Sequence, residues 1–211
     1  MHRLGYSRAE IAADAIVHAL GVAFALVAGP VLIMFAVRGG EGAVIASVSV
    51  YAAAMLAMFA FSAAYNLTPV PRWRAVLRRL DHGAIYLMIA GTYTPIAAIS
   101  LAGGAGRTLL LAVWTAAAIG FALKVVAPRR LEAASLLLYL ALGWAGAFVG
   151  GEMLEKMSGA ALILIGVGGA LYTVGTAFHV WSDLRFQNAI WHLHVLIASV
   201  CMYAAIAVEV L

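Results

Sequence analysis

The stretch Phe186-Gln187-Asn188-Ala189-Ile190-Trp191-His192-Leu193-His194-Val195-Leu196-Ile197-Ala198-Ser199-Val200-Cys201-Met202-Tyr203-Ala204-Ala205-Ile206-Ala207-Val208 runs for 23 residues without Asp, Glu, Lys or Arg. A hydrocarbon core about 30 Å thick is crossed by roughly 20 helical residues, so this segment reads as a membrane-spanning helix. Its opening is unusual for such a helix. Asn188 and His192 lie one turn apart and share a face, and polar groups inside a bilayer are costly unless they meet partners.

Six further runs without those four residue types precede it, at 15–37, 42–71, 82–106, 108–123, 133–151 and 157–182. Seven spans are therefore expected: an all-α, seven-transmembrane bundle in which residues 1–211 form a single integral-membrane domain. The run at 108–123 is short, and Lys124 and Arg107 are expected to reach outward and lengthen it. The composition agrees. The chain of 211 residues is 65% hydrophobic and 10% charged, with mean hydropathy +1.03, whereas a soluble domain carries about 25% charged residues. Continuous Ala- and Leu-rich runs exclude a β-barrel, whose spans alternate over about ten residues. The charged first fourteen residues and the long run that follows argue against a cleaved leader. Cys201 lies inside the last span and has no second cysteine to pair with.

Charge placement sets the expected orientation. Ten of the thirteen Lys and Arg residues fall in the N-terminal tail and the second, fourth and sixth loops, against Arg38, Arg107 and Lys156 on the other side. The positive-inside rule then puts the N-terminus in the cytoplasm and the C-terminus outside. The net charge of +4 follows from this arrangement and calls for no nucleic-acid partner; membrane lipids are the expected surroundings. Gly39-Gly40, Pro69 with Pro71, Gly103-Gly104, Pro128 and Gly150-Gly151 mark turns. Pro95 is expected to kink the third span. Gly146-xxx-Gly150 fits close helix approach, read as packing within the chain rather than as a dimer interface.

The intramembrane polar residues share one depth. Asp14 and His18 begin span one, Ser62 and Asn66 end span two, Asp81 and His82 begin span three, His179 ends span six, and Asn188, His192 and His194 begin span seven. All lie at the cytoplasmic end under the expected topology. Hydrocarbon satisfies none of them singly, so a shared polar site is expected. Spacing of four puts Asp14 with His18, Ser62 with Asn66, and Asn188 with His192 on common faces. His82, His179 and His194 read as interfacial or bridging histidines, with His82 turned about 100° away from Asp81.

The segment Leu80-Asp81-His82-Gly83-Ala84-Ile85-Tyr86-Leu87-Met88-Ile89-Ala90-Gly91-Thr92-Tyr93-Thr94-Pro95 closely resembles the third-span signature of the hemolysin III proteins. These belong to the progestin and adiponectin receptor family, in a wider group with the alkaline ceramidases. The resemblance extends over Glu10, Asp14, His18 and Gly21, over Ser62-Ala63-Ala64-Tyr65, over Tyr139 and Gly143-Trp144, and over Ile190-Trp191-His192-Leu193. It implies a bacterial inner-membrane protein with seven spans and its N-terminus inside.

It also implies a zinc ion held by Ser-xxx-His in span two and His-xxx-His in span seven. The Ser and the span-three Asp stand beside it in catalysis, for which Ser62 and Asp81 match. Of the three ligand positions only His192 matches; Asn66 and Asn188 occupy the others. A carboxamide is a poor zinc donor beside imidazole, thiolate or carboxylate. Zinc at this set is therefore expected to be weak or absent, with Asp81 or His18 the neighbours able to substitute. Two functions follow: a zinc-dependent lipid-amide hydrolase, disabled here, or a metal-free receptor, sensor or membrane-homeostasis factor for a lipid or small molecule. A pore ranks third, since no charged lining runs through the outer half. Retinal chemistry is excluded, because the only lysines are Lys124 and Lys156.

Overall fold

The computed structural model describes residues 6–101, 103–126 and 132–211. Arg3, Pro128, Arg129 and Arg130, used above for turns and orientation, and His2 lie outside the described residues. Among those described there are eight α-helices, one 3-10 segment and no strand. The helices are α1 (Arg8–Gly39), α2 (Gly42–Leu67), α3 (Pro71–Ile99), α4 (Gly104–Val126), α5 (Glu132–Gly143), α6 (Gly150–Lys156), α7 (Gly159–Val180) and α8 (Gln187–Val210), with the 3-10 segment at Ala145–Val149. Six segments are long and apolar enough to cross a membrane. The α3 helix falls outside that group: its first third carries Arg72, Arg74, Arg78 and Arg79, and the uncharged remainder is diluted by His82, Tyr86, Thr92, Tyr93, Thr94 and Pro95.

Local chemistry sets the boundaries. The α1 helix starts at a capping box, in which Ser7 and Glu10 satisfy each other's backbone amides. It stops at Gly40, whose left-handed φ of 78° lets its N–H reach back to the Ala36 and Val37 carbonyls. Pro71 opens α3 at a position where its missing amide proton costs nothing. Pro95 lies within α3, which continues to Ile99.

Around the bundle the helices follow chain order, and α8 returns to pack on both α7 and α1. The α3 helix touches α2, α4, α5 and α8 and buries the most residues, among them Tyr86, Met88 and Tyr93. Because lipid tails are as apolar as leucine, such helices are held by close packing and small residues. A methyl group added at Gly91 would sit 2.7 Å from Cβ of Ala54, so α2 and α3 meet there at minimum separation.

Three expectations are corrected. The run at 133–151 is not one helix: α5 ends at Gly143 and the backbone turns through Ala145–Val149 before α6 begins. The break therefore falls ahead of Gly150-Gly151, and Gly146 and Gly150 form no helix-packing ridge. Gly146 instead faces Tyr93 and Met153, and nothing stands within 4 Å of a methyl at Gly150. A broken helix frees backbone groups, and α3 supplies their partner. The Tyr93 hydroxyl donates to the Gly143 carbonyl at 2.8 Å and accepts from the Gly146 amide at 2.8 Å. Finally, Lys124 does not reach outward; it is 3% exposed at the end of α4.

At the opposite end of the bundle from the polar cluster, Glu209 of α8 clasps two neighbours. It accepts from the Ser158 amide at 3.0 Å and from the Ser100 hydroxyl at 2.8 Å. Replacing Glu209 with alanine is expected to cost about 2–3 kcal/mol, because bonds to a charged acceptor are the stronger kind. Thermal melting in detergent should fall by roughly 4–10 °C for a chain of this size, and by less in Glu209→Gln, which keeps one acceptor. An unchanged melting point would remove the clasp from the account.

Candidate functional site

The polar end of the bundle is assembled by contacts between the beginnings of α1 and α8. One Glu10 carboxylate oxygen caps α1 through the Ser7 amide at 2.8 Å and hydroxyl at 2.7 Å. The other accepts from the Phe186 amide at 2.9 Å. Phe186 is held there at φ 60°, a left-handed conformation uncommon for a residue with a bulky side chain. Beside it, Tyr6 donates to Gln187 at 3.3 Å, and the Gln187 amide donates to the His179 carbonyl at 2.7 Å. The tail, the α7 end and the α8 start are thereby tied to α1.

One turn further in, that register brings Asp14 against His192. His192 Nδ1 lies 2.6 Å from Asp14 Oδ1, and His18 Nε2 lies 3.6 Å from the same oxygen. The two imidazole rings stand 4.3 Å apart, tilted by 52°. Asp14 and His18 are each 2% exposed. Asp14 and His18 share a face of α1, as their spacing required; that His192 completes the group depends on helix docking across 178 residues of sequence.

His18 and His192 form part of the wall of a cavity of about 760 Å³, together with Ser62, Asn66, Asp81 and Asn188. Asp14 sits behind that wall, beside Tyr6, Glu10 and Asn188. Asn66 turns its amide nitrogen to the Ser62 carbonyl at 3.1 Å, with the Ser62 hydroxyl at 3.5 Å. Asp81 lies beside Ser62, within the electrostatic reach of His192 and Asp14. All seven expected site residues thus gather at one end of the bundle.

The remaining histidines divide. His194 points elsewhere, stacking on Phe178 at 4.9 Å and bonding the Ile190 carbonyl at 2.8 Å. His179 packs on Trp191 at 5.1 Å, and both line the cavity. His82 does not diverge from the site as expected. Its Nε2 comes within 3.9 Å of Asp81, and it lines the cavity against Tyr65. Flexible side chains reach one cavity from adjacent positions where Cβ directions alone suggest separation.

From this polar end the cavity continues between α3, α7, α8 and the broken α5–α6 segment to Ile96, Met153 and Leu162. Asp81 to Ile96 along α3 spans about 22 Å at 1.5 Å per residue. At the mouth, Arg78 pairs with Glu132 and so ties α3 to α5. Arg74, Arg78 and Glu132 also line the cavity. Read in sequence, these arginines carried only orientation; the signal available was that Arg78 precedes Asp81 by one helical turn.

Fold and site define a class: a multi-pass helical membrane protein with a buried polar cluster at the head of a long apolar cavity. The chain belongs to the Haemolysin-III related family, whose model matches residues 10–203. It is 37% identical to Hemolysin-3 of Bacillus cereus over 202 residues, covering 96% of this chain and 92% of that protein. It is 36% identical to a Hemolysin-3 homolog of Bacillus subtilis (strain 168) over 194 residues, 92% of this chain and 91% of the relative. No solved structure matches.

Proposed function

We propose that this protein binds a single membrane amphiphile in its cavity, with the polar group of the ligand at the Ser62, Asp81 and His192 end and the chain along the apolar walls. The observation that carries this reading is the shape and chemistry of the cavity. Its volume of about 760 Å³ falls within the range of small-molecule sites. Its length approaches most of a bilayer's hydrocarbon thickness of about 30 Å. Charged, imidazole and carboxamide groups stand at one end only, with hydroxyls such as those of Thr92 and Thr173 further along, which suits a lipid better than a conducting pore.

The proposal places the chain in the bacterial inner membrane with seven spans, the α5–3-10–α6 segment counting as the fifth. The N-terminus, and with it the polar end of the cavity, is cytoplasmic. The predominance of Lys and Arg on that side of the sequence supports this orientation.

Zinc-dependent hydrolysis of a lipid amide is what the resembled three-histidine site would perform, zinc polarising the carbonyl and acidifying a bound water. The residues at those positions do not fit the ion. The Asn66 amide nitrogen is engaged with Ser62, and a second carboxamide stands at 188. Binding, in a receptor or membrane-homeostasis role, is therefore the function retained. Ser62, Asp81, Asn66, Asn188 and His192 then act as hydrogen-bonding partners for the polar group of the ligand.

The test is lipid analysis of the purified protein. Mass spectrometry should find about one co-purifying single-chain or amide-linked lipid per protein. Val195→Trp, which fills the cavity from α8, is expected to lower that amount about tenfold. Equal lipid recovery from both forms, after exchange of loosely held detergent and lipid, would overturn the proposal.

A further inference from the structure

We propose that Asp14, His18 and His192 form a zinc-binding site bridging α1 and α8, in which His192 alone is shared with the three positions that family resemblance assigns to metal and α1 supplies the other two donors. Each residue offers one donor atom, and the three atoms lie within 4.8 Å of one another. Two imidazoles and one carboxylate are a donor set that zinc accepts, leaving a fourth position for water or ligand.

The distances are close to what the ion needs. Donors about 2.0–2.1 Å from a tetrahedral zinc stand roughly 3.4 Å from each other. The two contacts to Asp14 Oδ1, at 2.6 Å from His192 and 3.6 Å from His18, bracket that value. Small side-chain rotations open one and close the other. Zinc then lies between the two atoms that now meet at 2.6 Å.

The surroundings favour a cation as well. Asp14 and His18 are each 2% exposed, so an ion held between them is shielded from bulk water, where its attraction to a carboxylate is strongest. Asp81 is near enough to Asp14 to act on it electrostatically, so a dication beside the two carboxylates offsets their mutual repulsion. His18 and His192 line the cavity while Asp14 lies behind its wall. An ion held by all three sits in that wall, open to whatever the cavity contains. The Glu10–Phe186 and Tyr6–Gln187 contacts fix the register of α1 against α8, so the donors are placed before the ion arrives.

The inference does not depend on the identity of the cavity ligand. The full chain, purified in detergent, is stripped with a chelator, reloaded with zinc chloride and passed through a desalting column before elemental analysis. About one zinc per chain is expected. Cobalt(II) in its place should give the visible absorption of a four-coordinate ion. Asp14→Asn and His18→Gln, which are close in size to the originals, should lower occupancy at least about tenfold at the same free zinc. His194→Gln, on the other face of α8, should leave it unchanged. Absence of zinc from the reloaded, unaltered protein overturns the site without recourse to any variant. Full occupancy in Asp14→Asn or His18→Gln overturns it as well.

Discussion

Tyr93→Phe is expected to lower the melting temperature of the detergent-solubilised protein by about 10 °C, although it deletes a single oxygen atom. That oxygen serves both sides of the break between α5 and α6, donating to the Gly143 carbonyl and accepting from the Gly146 amide, each at 2.8 Å. An unpaired buried backbone group costs about 1–3 kcal/mol, and two are released together. Within a bilayer no water is at hand to replace the lost partner. A loss near 4 kcal/mol corresponds to the stated shift for a chain of this length. Apolar packing adds little there, since Leu142 is the only buried residue of α5, and the other anchors, Arg78–Glu132, Tyr139–His82 and Trp144–Thr173, do not reach the broken turn's backbone groups. Proteolysis between α5 and α6 should therefore accelerate along with the change in melting. If melting and cleavage match the unaltered protein, the break is held by other contacts and the role given to Tyr93 is wrong.

Asn66→His combined with Asn188→His is expected to tighten zinc binding by at least about 100-fold. The change adds two imidazoles beside His192, and both altered positions line the cavity that His192 lines. Three histidines and a water form a complete catalytic-type zinc sphere, and changes beyond the ligands alone alter affinity 10–100-fold. Zinc in this double variant should also survive Asp14→Asn, which is expected to remove it from the unaltered protein. Competition with a chelating dye reads both effects. Affinity unchanged in the double variant would mean that positions 66 and 188 do not converge on His192, and the resemblance at these positions would lose its structural meaning.

These two results address parts of the molecule that differ in how far they could be read beforehand. Membrane residence, the α-helical class and most helix boundaries follow from residues close in sequence. Long uncharged runs demand helices because backbone amides in lipid must be satisfied within the segment. The Ser7–Glu10 box, Gly40 and Pro71 act over a few residues. The gathering of Ser62, Asn66, Asp81, Asn188 and His192 was expected for the same reason, from their shared depth near helix ends.

Other features had no local signal. The fifth run carries no proline and looks continuous; its break is made tolerable by Tyr93, some fifty residues earlier in the chain. Lys124 reads as an outward anchor, yet packing buries it. Adjacent Asp81 and His82 were expected to part, and both face the cavity.

Sequence by itself determined that this is an α-helical membrane protein with polar residues collected at one end, because hydropathy and helical spacing act locally; its Haemolysin-III kinship rests on resemblance, above all of the Leu80–Pro95 stretch. Tertiary structure alone decided which of those residues touch. Asp14 meets His192 only because α8 packs back on α1, a contact fixed by helix docking and by the Glu10–Phe186 register, to which no periodicity within either segment points.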